Sequence, residues 1–206
     1  MIVIIDYKMG NLGSIFNMLK KIGVSSKLSS DTNDIFSASK LIMPGVGSFD
    51  NGMNNLREAG LLSVLNEKVL VQKTPILGIC LGMQLLTRSS EEGTLPGLGW
   101  IEGHTVRFRF GAEQAHLKVP HMGWNTVEFN RNSIFSRGYE ETPRFYFVHS
   151  YHVVCDREDE IAGRTFHGYE FASAVQKDNI YGVQFHPEKS HKFGMRLLNN
   201  WLTDNR

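Results

Sequence analysis

Residues 76–86 read ILGICLGMQLL, and the fold is decided there. Ile76 to Ile79 is an apolar run without alternation, the pattern of a strand buried on both faces of a parallel sheet. Through Cys80 it passes directly into MQLLTR, a good helix start. A strand that turns at once into a helix is half of a βαβ unit. The preceding residues repeat the theme. Met1 to Asp6 is a second such run, KMGN is a turn, and Ile15, Leu19 and Ile22 recur at helical spacing with Gly23 where a helix stop belongs. Ser26 to Ser29 forms a short strand, Lys40 to Met43 another that ends at Pro44-Gly45, and Leu62, Leu65 and Val69 mark the apolar face of a helix before Pro75.

Strands alternating with helices predict an α/β fold with a doubly wound, mostly parallel sheet, helices on both faces, and ligand-binding loops at the strand carboxyl ends. After Trp100 the texture changes. HTVRF, NTVEF, RFYFVHSYHVV, YEFASAVQ and IYGVQF alternate, which adds an antiparallel or mixed β region. A last helix, with Met195, Leu198 and Leu202 on one face, closes the chain. Without linker, repeat or low-complexity segment, residues 1–206 read as a single domain.

Composition narrows the function. With 206 residues, 41% of them hydrophobic, the chain can bury a sizeable core. Lys plus Arg number 22 and Asp plus Glu 21, so a net charge of +1 leaves no field to attract phosphate backbones or anionic lipid. No nucleic-acid or membrane partner is expected. No apolar run approaches the roughly 20 residues of a membrane span, and MIVIID opens without a basic or long apolar leader, so we expect an unprocessed cytoplasmic protein. Cys80 and Cys155 match neither metal-ligand spacing nor a disulfide framework, and the histidines show no such spacing either; no metal and no cofactor are expected.

Gly78-Ile79-Cys80-Leu81-Gly82 has the G-x-nucleophile-x-G form. Such an elbow holds its central residue in a strained conformation above the sheet, and the flanking glycines remove side chains that would clash. The helix start behind it offers backbone N–H groups to an oxyanion. A lone cysteine is otherwise a small buried apolar residue. A nucleophile that must expel an amine needs a proton donor. His186 ends the strand YGVQF, and Glu188, two residues on, falls on the same side of an extended segment, where it can fix the imidazole. By itself His-Pro-Glu also suits a surface cap. Pro44-Gly45-Val46-Gly47 follows another strand and can turn a peptide N–H toward the same site, or it is a plain turn.

Together PGVG, GICLGMQ and HPE, in this order, resemble the class I, triad-type glutamine amidotransferases along nearly the whole chain. The resemblance implies that Cys80 attacks the side-chain amide of glutamine, that the N–H groups of Leu81 and of the Val46-Gly47 loop receive the oxyanion, and that His186, oriented by Glu188, protonates departing ammonia. It also places Gln84, Glu92, Ser150 and Tyr151 around bound L-glutamine, with Glu91 as the neighbour that a shift of one would substitute. IDYKMGNLGS, VPHMGWN, YFVHSY and FHPEKS resemble the branch that serves imidazole glycerol phosphate synthase in histidine biosynthesis, feeding ammonia to a separate (β/α)8-barrel cyclase subunit as a heterodimer. That likeness implies Asn11, Met122, Trp124, Asn125, Tyr146 and Lys189 as interface and ammonia-gate residues; without it Trp124 reads equally as core. Lys8 departs from the pattern, which has glycine there, and the segment after Arg109 is long. Three alternatives therefore stay open: a paralogous glutaminase feeding a sugar amidotransferase of surface-polysaccharide biosynthesis, a catalytically inactive binding subunit, and a cysteine hydrolase of γ-glutamyl peptides.

Overall fold

The computed structural model describes residues 1–204; the last two positions of the domain expected over 1–206 lie outside the described residues. All four side chains of β1 (Ile2–Ile5) are buried. Successive residues of a strand point to opposite faces. Ile2 and Ile4 accordingly join one apolar cluster, and Val3 and Ile5 join another on the far side. Two faces each needing cover is what makes the sheet doubly wound.

Helix α1 (Leu12–Ile22) covers the first face. Asn11 caps it by accepting the N–H of Ser14 at 3.3 Å, and Gly23 stops it at φ +87, a left-handed conformation that glycine adopts without strain. Ile15 and Leu19 are buried against the sheet, and truncation of either side chain to alanine carries a cost of about 2–5 kcal/mol. β2 (Ser26–Ser29) and β3 (Lys40–Gly45) flank β1 in parallel, β3 running two residues further than its apolar stretch. The second face is covered by α2 (Thr32–Ser37), α3 (Phe49–Glu58) and α4 (Leu61–Asn66), which continues as a wider turn to Val71. Leu65 and Val69 are buried as their spacing predicts. The sequence pattern does not reveal α2 or α3. α2 is only six residues long, and polar TND and DNGMNN dilute the few apolar anchors, Ile35 in one and Phe49, Met53 and Leu56 in the other.

β4 (Ile76–Cys80) is buried throughout, pairs in parallel with β3, and passes without a spacer into α5 (Leu81–Leu85). β12 (Ile180–Val183) lies on the other side of β4, also parallel. Beyond it the sheet turns antiparallel through β11 (Glu170–Lys177), β10 (Ile161–Phe166) and β7 (Glu128–Phe129), while β9 (Tyr151–Cys155) branches from β11 and carries β5 (Gly103–Arg107). β6 (His121–Thr126) and β8 (Arg144–His149) form a separate two-stranded ribbon. Residues 180–183, grouped by their alternation with the antiparallel segments, thus complete the parallel half. β10 escapes the sequence reading because Gly163 and Arg164 break its alternation where the ladder also shifts register.

α6 (His191–Thr203) packs on the α1 face. Its buried side is Phe193, Leu197, Leu198 and Trp201, so the predicted stripe of Met195, Leu198 and Leu202 is rotated by about one position. The two large aromatic residues take the interior, and Met195 and Leu202 are left at its margin.

Candidate active site

β4 delivers Cys80 to the carboxyl edge of the sheet with φ +54 and ψ −110. That is a strained backbone for a residue with a side chain, at a cost of about 1–3 kcal/mol, and it is held by close packing. A Cβ on Gly78 would stand 2.7 Å from the carbonyl oxygen of Gly82, and one on Gly82 would overlap the carbonyl oxygen of Met43. The elbow therefore demands glycine on both flanks. The thiol is nearly buried, and Leu81 begins α5, so its N–H is one of those a helix leaves unbonded.

β12 is the neighbour of β4, and the residues after it bring the remaining groups. Nδ1 of His186 lies 2.8 Å from Oε1 of Glu188, with both side chains almost fully enclosed. His186 N–H also bonds the carbonyl of Tyr146 at 2.9 Å, tying the loop to the ribbon. Burial alone would depress the imidazole; its interactions with Cys80 and Glu188 outweigh that and hold the pKa up to about 10. Among the described residues its buried Nε2 meets no hydrogen-bond partner within normal distance.

A cleft of about 250 Å³ opens over Cys80, lined by Val46, Gly47, Leu81, Gln84, Glu92, Ser150 and Tyr151, together with Pro120, Val148 and His149. Gly47 stands at φ +127. Glu92 accepts the N–H of Phe49 at 2.9 Å, and burial first of all, then the charge of Asp50, keeps its carboxyl above the usual range. Glu91 instead accepts the N–H of Arg107 and a guanidinium N–H of Arg109, and of the two neighbours it is Glu92 that lines the cleft.

On the rim, Met122 and Trp124 are exposed, 62% and 46%. Trp124 meets the ring of Tyr146 edge-on at 6.3 Å and stacks on His191 at 5.7 Å, while the ammonium of Lys189 sits 5.5 Å from the Tyr146 ring. Trp124 is therefore not core. Asn125 is half-buried and fully engaged in hydrogen bonds to His121, the Phe166 carbonyl and the Thr126 N–H. Asn11 is the exposed cap of α1, a helix whose Ser14, Asn17 and Met18 line a surface cavity together with Lys189 and His191. Lys8 adopts φ +64 and donates its N–H to Asp6 at 3.1 Å, so the left-handed turn that a glycine would make is kept.

Two groups escape sequence reasoning. Gln184 is fully buried and donates to Sγ of Cys80 at 3.6 Å; its signal is its position two residues before His186 on one extended segment, which puts both side chains on one side. His149 enters the cleft from the ribbon, within YFVHSY.

The sequence model described as glutamine amidotransferase class-I matches residues 3–205. The chain belongs to the class-I glutamine amidotransferase family. Among curated relatives it is 57% identical to imidazole glycerol phosphate synthase subunit HisH 2 of Methanococcus maripaludis and 50% identical to the subunit of that name from Pseudomonas aeruginosa, each over 202 residues and 98% of both chains. The HisH subunit of Leptospira interrogans is 45% identical over 98% of this chain and all of its own. In fold this class-I amidotransferase superposes on the PurLQS structure from Thermotoga maritima with a TM-score of 0.74 at 18% identity, covering 98% of this chain and 96% of the other. A glutamine amidotransferase from the same organism gives 0.66 at 19% identity, over 98% and 81%.

Proposed function

We propose that the chain is the glutaminase subunit of imidazole glycerol phosphate synthase, hydrolysing L-glutamine and passing the ammonia to a (β/α)8-barrel cyclase subunit in histidine biosynthesis. The observation that carries the reading is the meeting of Cys80, on its strained elbow in the cleft, with the His186–Glu188 pair, in a chain about half identical along its length to subunits of that name.

In this reading the Cys80 thiolate adds to the carboxamide carbon of glutamine, and the oxygen takes up negative charge facing the N–H groups of Leu81 and the Val46-Gly47 loop. The His186 imidazolium gives its proton to the leaving nitrogen, and ammonia departs. Water, deprotonated by the now neutral imidazole, then adds to the thioester, and glutamate leaves as the thiolate and imidazolium are restored. Glu92 holds the α-ammonium group of the substrate. Ammonia that met water at neutral pH would be protonated and lose its nucleophilicity, so the apolar and aromatic rim of Met122, Trp124 and Tyr146 is where a sealing partner would sit.

The test is glutamate release by the purified chain, alone and with a cyclase subunit and its nucleotide substrate. Strong stimulation by that pair is expected. A glutaminase indifferent to the cyclase would favour the second reading, a subunit serving a sugar amidotransferase of surface-polysaccharide biosynthesis, which Lys8 in a glycine position keeps in view.

A further inference from the structure

A file of hydrogen bonds runs from the ribbon into the cleft, and its direction is fixed by counting donors. Asn125 Oδ1 accepts the N–H of Thr126 at 2.8 Å, so its amide nitrogen is the end that donates to the Phe166 carbonyl at 2.9 Å and to Nε2 of His121 at 3.1 Å. At the other end, Nδ1 of His149 lies 2.7 Å from the Tyr151 carbonyl, which can only accept. His149 must carry its proton on Nδ1, leaving a lone pair on Nε2. Nδ1 of His121, 3.1 Å away, must then donate to it, and Nε2 of His121 is left to accept from Asn125. Every atom is satisfied by one assignment, and only with both imidazoles neutral. The surroundings agree, since Phe108, Phe147 and Phe171 pack around the two rings and burial, joined for His121 by the charge of His167, holds His121 down to about 3 and His149 well below a free imidazole.

The Tyr151 carbonyl has a second donor, Nε2 of Gln84 at 3.0 Å, and the same nitrogen gives its other hydrogen to Oε1 of Gln184 at 3.0 Å. Both N–H bonds of Gln84 are therefore committed to the protein. Among the described residues no hydrogen bond occupies its Oε1, and Gln84 lines the cleft. What Gln84 can offer a ligand is thus an acceptor for an N–H.

We propose that His149, held by His121 and Asn125, is a positioning residue that keeps the Gln84 carbonyl oxygen turned toward an N–H of bound glutamine and ties that setting to strand β6 beside Trp124. The inference rests on the glutaminase reading and extends it: a displacement of β6 by whatever docks on Met122 and Trp124 would reach the substrate through four side chains and one carbonyl.

The experiment uses the chain with its cyclase subunit, with His149→Phe, His121→Phe and His149→Asn compared with the unaltered chain. The two phenylalanine variants should raise the KM for glutamine about five- to tenfold, the worth of a hydrogen bond, while kcat stays within about threefold and alkylation of Cys80 by iodoacetamide within about twofold. His149→Asn, whose amide nitrogen replaces Nδ1 as donor to Tyr151, should recover most of the KM loss. Histidine 15N spectra of the unaltered chain should show both rings as the Nδ1–H tautomer. An unchanged KM in His149→Phe, a fall in alkylation and melting temperature that tracks the KM, or an Nε2–H tautomer at either ring overturns the proposal. Failure of the unaltered chain to release glutamate would strike the glutaminase reading instead, and the tautomers would still decide the relay.

Discussion

Gly45 and Cys80 are register partners across the parallel strands β3 and β4, at the carboxyl end of each. The loop that follows Gly45 is thereby delivered over Cys80, and Gly45 itself is confined: a Cβ there would sit 2.7 Å from the Tyr7 hydroxyl and 2.8 Å from Cβ of Leu81. Tyr7 adds a hydrogen bond to the Pro44 carbonyl. One end of this loop is clamped and the other, from Val46, is open to solvent.

That division predicts opposite outcomes for two glycine-to-alanine substitutions. Gly47→Ala sits at φ +127 in the open part, where the obstacle is the movable Met9 methyl group at 2.8 Å. Its strain of about 1–3 kcal/mol should be relieved by the loop changing shape, so glutamate release should fall by roughly 10- to 1000-fold with Cys80 alkylation and melting temperature little altered. Gly82→Ala drives a methyl group into the Met43 carbonyl oxygen, which cannot move without the sheet. Loss of the cooperative melting transition is expected there, and a Gly82→Ala protein that melts normally would mean that the elbow is not rigid.

The elbow was legible because its chemistry is local: strand, two glycines and helix are contiguous, and the backbone geometry they require is written in residue type. The same holds for the alternating two faces of β1 and the Gly23 stop. What was not legible depends on neighbours distant in sequence. β12 joins the parallel half because β4 leaves an edge beside it, and nothing in IYGV distinguishes that from an antiparallel partner. α6 turns by one position because Phe193 and Trp201 outcompete Met195 for the interior. Gln184 and His149 acquire their place only when β12 and the ribbon are laid against Cys80, so the spacing of Gln184 from His186 and the segment YFVHSY point to them without saying what they meet.

Glu188→Gln separates the roles within the His186 pair. The folded imidazole titrates at about 10, above the roughly 6.5 of a free one, so the protonated ring stabilises the fold fully below about 6.5 and loses that contribution as pH rises through about 10. An amide at position 188 removes one of the two interactions that oppose burial. The alkaline limb of the pH–rate profile should move to lower pH, and the rate at its optimum should drop by roughly 100- to 10,000-fold. A limb that stays in place would assign the raised value to Cys80 alone.

Trp124→Ala should be nearly silent in the isolated chain. The indole is half exposed and its contacts are the rings of Tyr146 and His191, so the unfolding free energy should change by less than about 1 kcal/mol. With a cyclase subunit present, affinity or the ammonia transferred per glutamate released should fall at least about tenfold, as for a buried aromatic anchor. Isothermal titration beside coupled product assays distinguishes this from a core role, which would show first as a lower melting temperature.

Acid should loosen the fold before its carboxylates titrate. His152 is held at about 4 and His121 at about 3, mainly by burial, and His149 also lies well below a free imidazole. Between about 6.5 and 5.5 the unfolded chain therefore binds protons that the folded chain refuses, and stability must fall with pH, by at most about 1.4 kcal/mol per pH unit for each histidine. His186 opposes this slope, by about 0.7 kcal/mol per pH unit near 6.5 and little by 5.5, because its ring is protonated in the fold throughout while the unfolded one is still taking up its proton. His152 stands apart from the relay, bonded through Nε2 to the Tyr169 hydroxyl at 2.9 Å and packed on Phe108 at 4.6 Å. In His152→Phe the slope of urea-derived stability against pH should accordingly drop by about a third at the acid end of this window, where the opposing share of His186 has faded, while the other two histidines keep theirs. A slope unchanged by that substitution would show that His152 takes up its proton in the folded chain, and that burial in this aromatic nest is incomplete.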